Sequence, residues 1–319
     1  MIRGSRMKIG KIIRVMMVVV ILMIVMIGCA KKDDVYEPET LVVITTEELT
    51  EEKPTGKAVG YDYDENTLEY ELVWSDEFDY EGKPDETKWS YDIGGTGWGN
   101  NELQYYTEGD NAIVEDGHLR IIAKNEDFNA LKYTSTRLVS KGKGDWLYGK
   151  FEVRAKLPRG KGTWPAIWML PTEWKYGGWP RSGEIDIMEH VGFAHGEVHG
   201  TVHTNAYNHM KGTQIGKSII REDVSEAFHV YGVEWLPDKI KFTIDDKLYF
   251  IFKPSNFVDA PTEDEWPFDQ AFHLILNIAI GGNWGGARGV DDSIFPQEMV
   301  IDYVRVYQSQ AISEITEGK

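Results

Sequence analysis

The segment Gly183-Glu184-Ile185-Asp186-Ile187-Met188-Glu189-His190 places three carboxylic acids within six residues. In a regular strand, side chains two apart share a face. Glu184 and Asp186 then point together, while Ile185 and Ile187 point to the opposite, buried face. Glu189 falls on the wrong face unless one extra residue bulges at Ile187-Met188. Three acids on one strand face repel each other, a cost that calls for a compensating use. Two carboxyl groups can split a glycosidic bond, one attacking the anomeric carbon and the other, protonated, donating to the leaving oxygen. A retaining reaction needs them about 5–5.5 Å apart. Cα atoms four strand positions apart lie about 13 Å apart, so the side chains must lean together across the bulge. Crowding should raise at least one pKa, as a general acid at neutral pH requires. The alternatives are a solvated acidic face or a cation site.

Other residues around this segment have the chemistry of sugar contacts. Trp164 and Trp168 stand four apart just upstream of the acids. Indole rings stack on the apolar faces of pyranoses, although core packing also consumes Trp. Trp284 sits in Gly281-Gly-Asn-Trp-Gly-Gly, where the glycines suggest an exposed loop. Asn100-Asn101-Glu102 and Arg137 carry groups suited to hydroxyls, the alternative for Arg137 being a surface ion pair. His195-Gly-Glu-Val-His199 has the residue types of a zinc site, but Gly, Val and Thr around it read as strand, without the helix such a site would use. His190 points away from the acids and reads as structural.

The elements that must position these residues are strands. Phe151–Leu157 alternates apolar and polar. Lys239–Ile244 and Lys247–Phe252 flank Asp245-Asp246 as a hairpin. Phe272–Ile280 reads as a buried strand and Val300–Tyr307 as another. Many short strands over about 240 residues, with no sustained helical period, predict one all-β domain, a two-sheet sandwich or jelly roll, over 68–310. Before it, residues 1–28 carry five basic residues and no acid, and Val15–Ile27 is an apolar run. Together they read as a signal peptide ending at Gly28-Cys29, as in a bacterial lipoprotein lipidated at Cys29. Residues 29–67 read as an acidic flexible tether and 311–319 as a C-terminal tail.

Composition narrows the partners. Asp plus Glu is 52 against 34 Lys plus Arg, for a net charge of −18, and removal of 1–28 leaves −23. Nucleic acid, anionic lipid and sulfated glycans are repelled at long range, so any membrane contact would be through the lipid anchor alone. One cysteine excludes a disulfide framework. Eleven Trp and sixteen Tyr fit sugar binding on a β scaffold. The acidic tether favours a monomer.

Glu184-Ile-Asp-Ile-Met-Glu189 resembles the E-x-D-x-x-E signature of glycoside hydrolase family 16, in its bulged laminarinase and agarase form. The resemblance extends over about 70–308 and includes Trp74-Ser-Asp-Glu-Phe, Trp98-Gly-Asn-Asn-Glu-Leu-Gln-Tyr-Tyr, Trp164-Pro-Ala-Ile-Trp-Met-Leu, His199-Gly-Thr-Val-His and Ile301-Asp-Tyr-Val-Arg-Val-Tyr. It implies a concanavalin-like β-jelly roll with a concave cleft and a retaining endo-β-1,3-glucanase acting on β-glucan polysaccharide, with mixed-linkage glucan as a second substrate; the signal-like segment adds export. By resemblance, Glu184 is the nucleophile, Glu189 the acid/base and Asp186 the supporting acid. Asn101 and Arg137 line the donor side, and His203 hydrogen-bonds sugar in the cleft. No cofactor is implied for catalysis. One structural calcium is implied at Asp302, with main-chain oxygens near Glu77 and Gly117, the alternative being a salt bridge from Asp302 to Arg305 or a lysine. An agarase-like galactanase and a non-catalytic glucan-binding protein are the other functions this fold allows.

Overall fold

Alternation decides which side of each strand is buried. In the computed structural model, which describes residues 61–317, Gly149–Lys156 alternates buried and half-buried at every position. Phe272–Ile280 is buried throughout, as a central strand covered on both faces must be. Asp245 and Asp246 both have positive φ, 50° and 61°, the geometry of a two-residue hairpin turn between the strands they join.

The strands form two sheets. One runs Lys247–Phe252, Lys239–Ile244, His229–Leu236, Gly149–Lys156, Gln297–Gln308, His118–Phe128, Leu131–Ser135, Gln104–Tyr106. The other runs Ile215–Ile220, Glu197–His203, Glu184–His190, Thr163–Pro171, Phe272–Ile280, Arg137–Val139, Ser90–Tyr91. Between them lies one apolar core that includes Trp89, Trp235, Phe151, Phe242 and Phe272. The fold is the expected all-β sandwich, and the acid segment lies inside the second sheet with a strand on each side.

Both ends of the domain differ from the sequence reading. Residues 1–60, including Cys29 and most of the expected tether, lie outside the described residues. The last part of that tether is docked. Tyr63 packs on the core and donates to Asp238, and Glu65 pairs with Lys239 and Lys241. Its high charge reads as solvated in one dimension, but the partner lysines are far along the chain. The expected tail also folds back: Gln310–Thr316 is a helix whose Ile312 is buried in the core. A seven-residue helix is too short to be stable by itself, so burial of Ile312 and contact by Ile315 hold it.

Candidate active site

The acid segment is a bulged strand. Against Thr163–Pro171, Met188 faces Ile167 and Asp186 faces Trp168, so Ile187 is skipped. Against Glu197–His203, Glu184 faces His203, Asp186 faces Thr201 and Glu189 faces His199. Three residues on the acid strand therefore span two on its neighbour, the extra residue of a bulge. Ile185, Ile187 and Met188 are all buried in the core, and the three acids emerge on the opposite face.

Each acid has its own surroundings. Trp179 Nε1 donates to Glu184 Oε2 at 2.7 Å, and Trp164 Nε1 donates to Glu189 Oε1 at 3.0 Å. Asp186 is buried, and its Oδ2 accepts no hydrogen bond although His203 Nε2 lies 3.4 Å away. The same His203 nitrogen lies 3.9 Å from Glu184 Oε1. Burial is the main force raising all three pKa values. Glu184 is pushed up to about 8, with the Asp186 charge adding to burial. Glu189 is pushed up to about 7, where His203 opposes burial and Glu184 adds to it. Asp186 is raised well above its ordinary value. It is the most enclosed of the three. Once Asp186 holds a proton it no longer repels Glu184, which keeps the Trp179 N–H to stabilise a negative charge. Burial and mutual repulsion thus favour keeping a proton within the trio, with one indole N–H donating to each flanking glutamate.

Aromatic groups wall the acids. The Trp284 ring packs edge-on to Trp164 at 5.5 Å and to His199 at 4.9 Å. The glycines of its loop permit this approach, because a Cβ at Gly285 would stand 2.8 Å from Trp164 Cβ. Asn101, at φ 56°, donates through Nδ2 to Asn283 Oδ1 at 2.8 Å and so ties its own loop to that of Trp284. The Arg137 guanidinium is sandwiched between Trp98 and Trp168, 4.7 Å from each ring, with Nε 3.0 Å from Asp92 Oδ2. Trp164, Trp168, Trp284, His203, Asn101 and Arg137 are therefore drawn into one neighbourhood from five segments of chain.

The Trp load divides between roles. Trp89, Trp146 and Trp235 are buried in the core, while Trp164, Trp168, Trp179 and Trp284 surround the acids. Trp179 was not legible as a site residue, although Gly177-Gly178-Trp179 carries the same glycine–aromatic signal as the Trp284 loop. His209, part of the histidine-rich stretch but with no role read for it, lies 4.9 Å from Trp179 in a tilted contact and 5.2 Å from His203 edge-on, and Asn277, which accepts from Trp168, escaped notice. His190 is fully buried and held neutral, its pKa pushed down to about 3 by burial and by His195 and His199, which fits a structural role. His195 instead contacts the Glu222 carbonyl at 3.1 Å, and no zinc cluster forms with His199 among the described residues.

The residues expected at a calcium are otherwise engaged. Asp302 Oδ2 lies 2.6 Å from Arg154 and its Oδ1 3.6 Å from His118, while Glu77 is clasped by Arg305 at 2.9 and 2.7 Å. Gly117 follows Asp116 in a turn, both at positive φ. Calcium would have to displace Arg154 from Asp302, so these side chains fit the ion-pair alternative, with Arg154 in place of Arg305. Among the described residues, metal-ligating atoms converge at Glu184, Asp186 and His203, within 4.8 Å of one another. That group fits a metal poorly. His203 Nδ1 is buried without a partner, whereas a metal-bound imidazole normally donates from its second nitrogen.

Comparison with known proteins agrees with this geometry. The sequence model of "Glycosyl hydrolases family 16" matches residues 99–305, which span the whole trio. A second model, of the "Beta-glucan synthesis-associated protein SKN1/KRE6/Sbg1", matches 9–184 and stops before Asp186 and Glu189. A protein of Rhodothermus marinus described as a "Beta-glucanase" is 56% identical over 256 residues, covering 78% of this chain and 89% of its own. The crystal structure of the laminarinase from Rhodothermus marinus superposes with TM-score 0.74 at 56% identity, over 76% of this chain and 99% of that one. SCLam, described as a non-specific endo-β-1,3(4)-glucanase, superposes with TM-score 0.71 at 43% identity, over 81% of this chain and 99% of its own. A bulged strand that carries three acids on one face, on a sandwich shared with these enzymes, and the family match over residues 99–305 place this chain in glycosyl hydrolase family 16.

Proposed function

We propose that this chain is a retaining endo-β-1,3-glucanase that cleaves laminarin-type β-glucans, with mixed-linkage β-1,3-1,4-glucan as a second substrate. The observation that carries the reading is the bulge at Ile187-Met188, which puts Glu184 and Glu189 on one face around Asp186. The relatives named above supply the substrate class, laminarinase on one side and β-1,3(4)-glucanase on the other.

The reaction is a double displacement. A Glu184 carboxylate oxygen bonds to the anomeric carbon as the carbon–oxygen bond to the leaving sugar breaks. Glu189 gives its proton to that leaving oxygen. Water then attacks the anomeric carbon, Glu189 takes the water's proton, and the bond to Glu184 breaks. Trp179 orients Glu184, Trp164 orients Glu189, and Asp186 lies between them, its carboxyl raised well above its ordinary value by burial. The side chains of this chain account for both proton transfers, and no step is routed through calcium.

We further infer that the chain is exported and lipid-anchored through Cys29, and that it acts as a monomer. The five bases, the apolar run Val15–Ile27 and the Gly28-Cys29 junction support this. Labelled palmitate incorporated by the wild type and lost in Cys29→Ser would bear the anchor out. Light scattering of the exported domain reads its oligomeric state.

Reducing-end release on laminarin, mixed-linkage glucan, a soluble cellulose derivative and agarose tests the substrate. Rapid production of short oligosaccharides from laminarin is expected. Release from agarose alone would move the substrate to galactans, and release from none by a folded protein would turn the reading to glucan binding.

A further inference from the structure

Outside the trio, a further half-buried carboxyl is linked to the same face. Glu102 stands in the loop that follows Trp98, and its Oε2 accepts from Gln104 Nε2 at 2.7 Å and from the Tyr106 hydroxyl at 3.2 Å. Tyr106 in turn accepts from Asn277 Nδ2 at 3.0 Å, and Asn277 Oδ1 accepts from Trp168 Nε1 at 2.7 Å. Tyr106, Gln104 and Asn277 are all buried, so water cannot replace a lost partner easily. The chain ends beside the acids, because Trp168 faces Asp186 across the sheet.

We propose that Glu102 is a positioning residue for sugar binding, which fixes the Trp168 indole through Tyr106 and Asn277. The polarity of the chain carries the argument. A carboxylate only accepts, so it forces Tyr106 to donate toward Glu102. The Tyr106 oxygen then accepts from the Asn277 amide nitrogen. That leaves the Asn277 carbonyl oxygen, and not its NH2, facing the Trp168 N–H. Reverse the amide and two donors meet at Trp168. Glu102 therefore sets the orientation of a buried amide that it does not touch, and through it the tilt of the ring. Two further contacts join the same parts. The Glu102 backbone bridges to Gly281, and the Arg137 guanidinium lies over the Trp168 ring at 4.7 Å. Gln104 reinforces the arrangement, since its Oε1 accepts from the Ile280 N–H at 2.7 Å.

The inference rests on the hydrolase reading, and wild-type release from laminarin tests that reading separately. If another glucan proves to be the substrate, the variants are assayed on it. Glu102→Ala should raise KM about 10-fold while kcat stays within about 3-fold, because the ring contacts sugar and not the reacting bond. Trp168→Ala should do the same. The two together should cost little more than Trp168→Ala alone, since Glu102 acts through that ring. Glu102→Gln, which keeps an acceptor oxygen, should recover most of the lost affinity and serves if Glu102→Ala does not fold. Binding of a laminari-oligosaccharide to Glu184→Gln, with and without Glu102→Ala, reads the effect without turnover. An unchanged KM in Glu102→Ala, or a full additional loss in the double variant, overturns the proposal.

Discussion

Two acids in this molecule have nearly equal exposure and opposite electrostatics. The Glu65 side chain is 12% exposed and that of Glu184 is 15% exposed. Burial pushes both carboxyls up. At Glu65, hydrogen bonds from Lys239 and Lys241 reverse the effect and leave its pKa below the ordinary value. At Glu184 the neighbours are another acid, a histidine and an indole, and the pKa stays at about 8. The lysines around Glu65 also serve Glu234 and Asp238, and these two accept from Tyr70 and Tyr63. Burial thus sets how strongly a carboxyl depends on its neighbours, and the neighbours set the sign. One cluster is neutralised and clamps the N-terminal segment to the domain. The other is left with too many acids, which is the condition for holding a proton at neutral pH.

The largest effects should come from the acid-rich cluster. Glu184→Gln should lower laminarin turnover by more than about 10^4-fold while oligosaccharide affinity by calorimetry is retained. Glu189→Gln should cost about 10^2–10^4-fold, recovered on a glycoside whose leaving group needs no proton. Substantial recovery in Glu184→Gln instead would exchange the two roles. Deleting Met188 removes the bulge and should move Glu189 to the core face, with loss comparable to Glu189→Gln. Retained activity in a folded deletion would disprove the bulge argument.

An intermediate effect is expected at Trp179→Phe, which keeps the ring and removes the donor to Glu184. A hydrogen bond to a charged group is worth about 1.5–3 kcal/mol, so kcat/KM should fall roughly 10- to 100-fold. The lost donor also favours the neutral carboxyl, and its pKa in a pH–rate profile should rise. A profile unchanged from wild type would show that Trp179 only packs.

The smallest effects concern stability, and here the two clusters should move in opposite directions. Glu65→Gln removes one acid shared by two lysines, leaving them only Asp238 and Glu234, and should destabilise by about 1–3 kcal/mol in chemical denaturation. Since the folded pKa of Glu65 is lowered, its contribution is present above about 4.5 and is lost as pH falls through the lower folded value. The difference between wild type and Glu65→Gln should shrink in acid. For Glu184 and Glu189 the folded values are raised to about 8 and about 7. The native state then holds protons that the unfolded chain releases, and stability falls as pH rises from about 4.5 to 8. Glu184→Gln removes part of that penalty, so its stability relative to wild type should grow over this window. Parallel pH trends for the two variants would refute the contrast.

Legibility followed the range of the interaction. Period-two alternation is local, so Gly149–Lys156, the Asp245-Asp246 hairpin and the buried Phe272–Ile280 strand could all be read from sequence. The bulge was legible because three acids and two isoleucines cannot all satisfy one face without it. Trp179 was missed because it reaches Glu184 from a separate loop; Glu102 was read as a hydroxyl-contacting group, but its link to Trp168 was not, because it runs through two buried residues distant in sequence. The ends were misjudged for a related reason. Charge in Tyr61–Thr67 and polarity after Gln310 suggested solvated chain, but Lys239 and Lys241 neutralise the first, and a single buried Ile312 anchors the second.

The sequence by itself determined the sheet architecture, the three acids with their bulge, and the excess of negative charge, because each follows from side-chain types at short spacing. Only the tertiary structure decided which of eleven Trp serve the core and which serve the acids, which partner takes Asp302, and how each buried carboxyl titrates. Those outcomes depend on groups brought within a few ångströms from distant strands. Electrostatics and hydrogen bonding act over such distances in space, and separation along the chain does not record them.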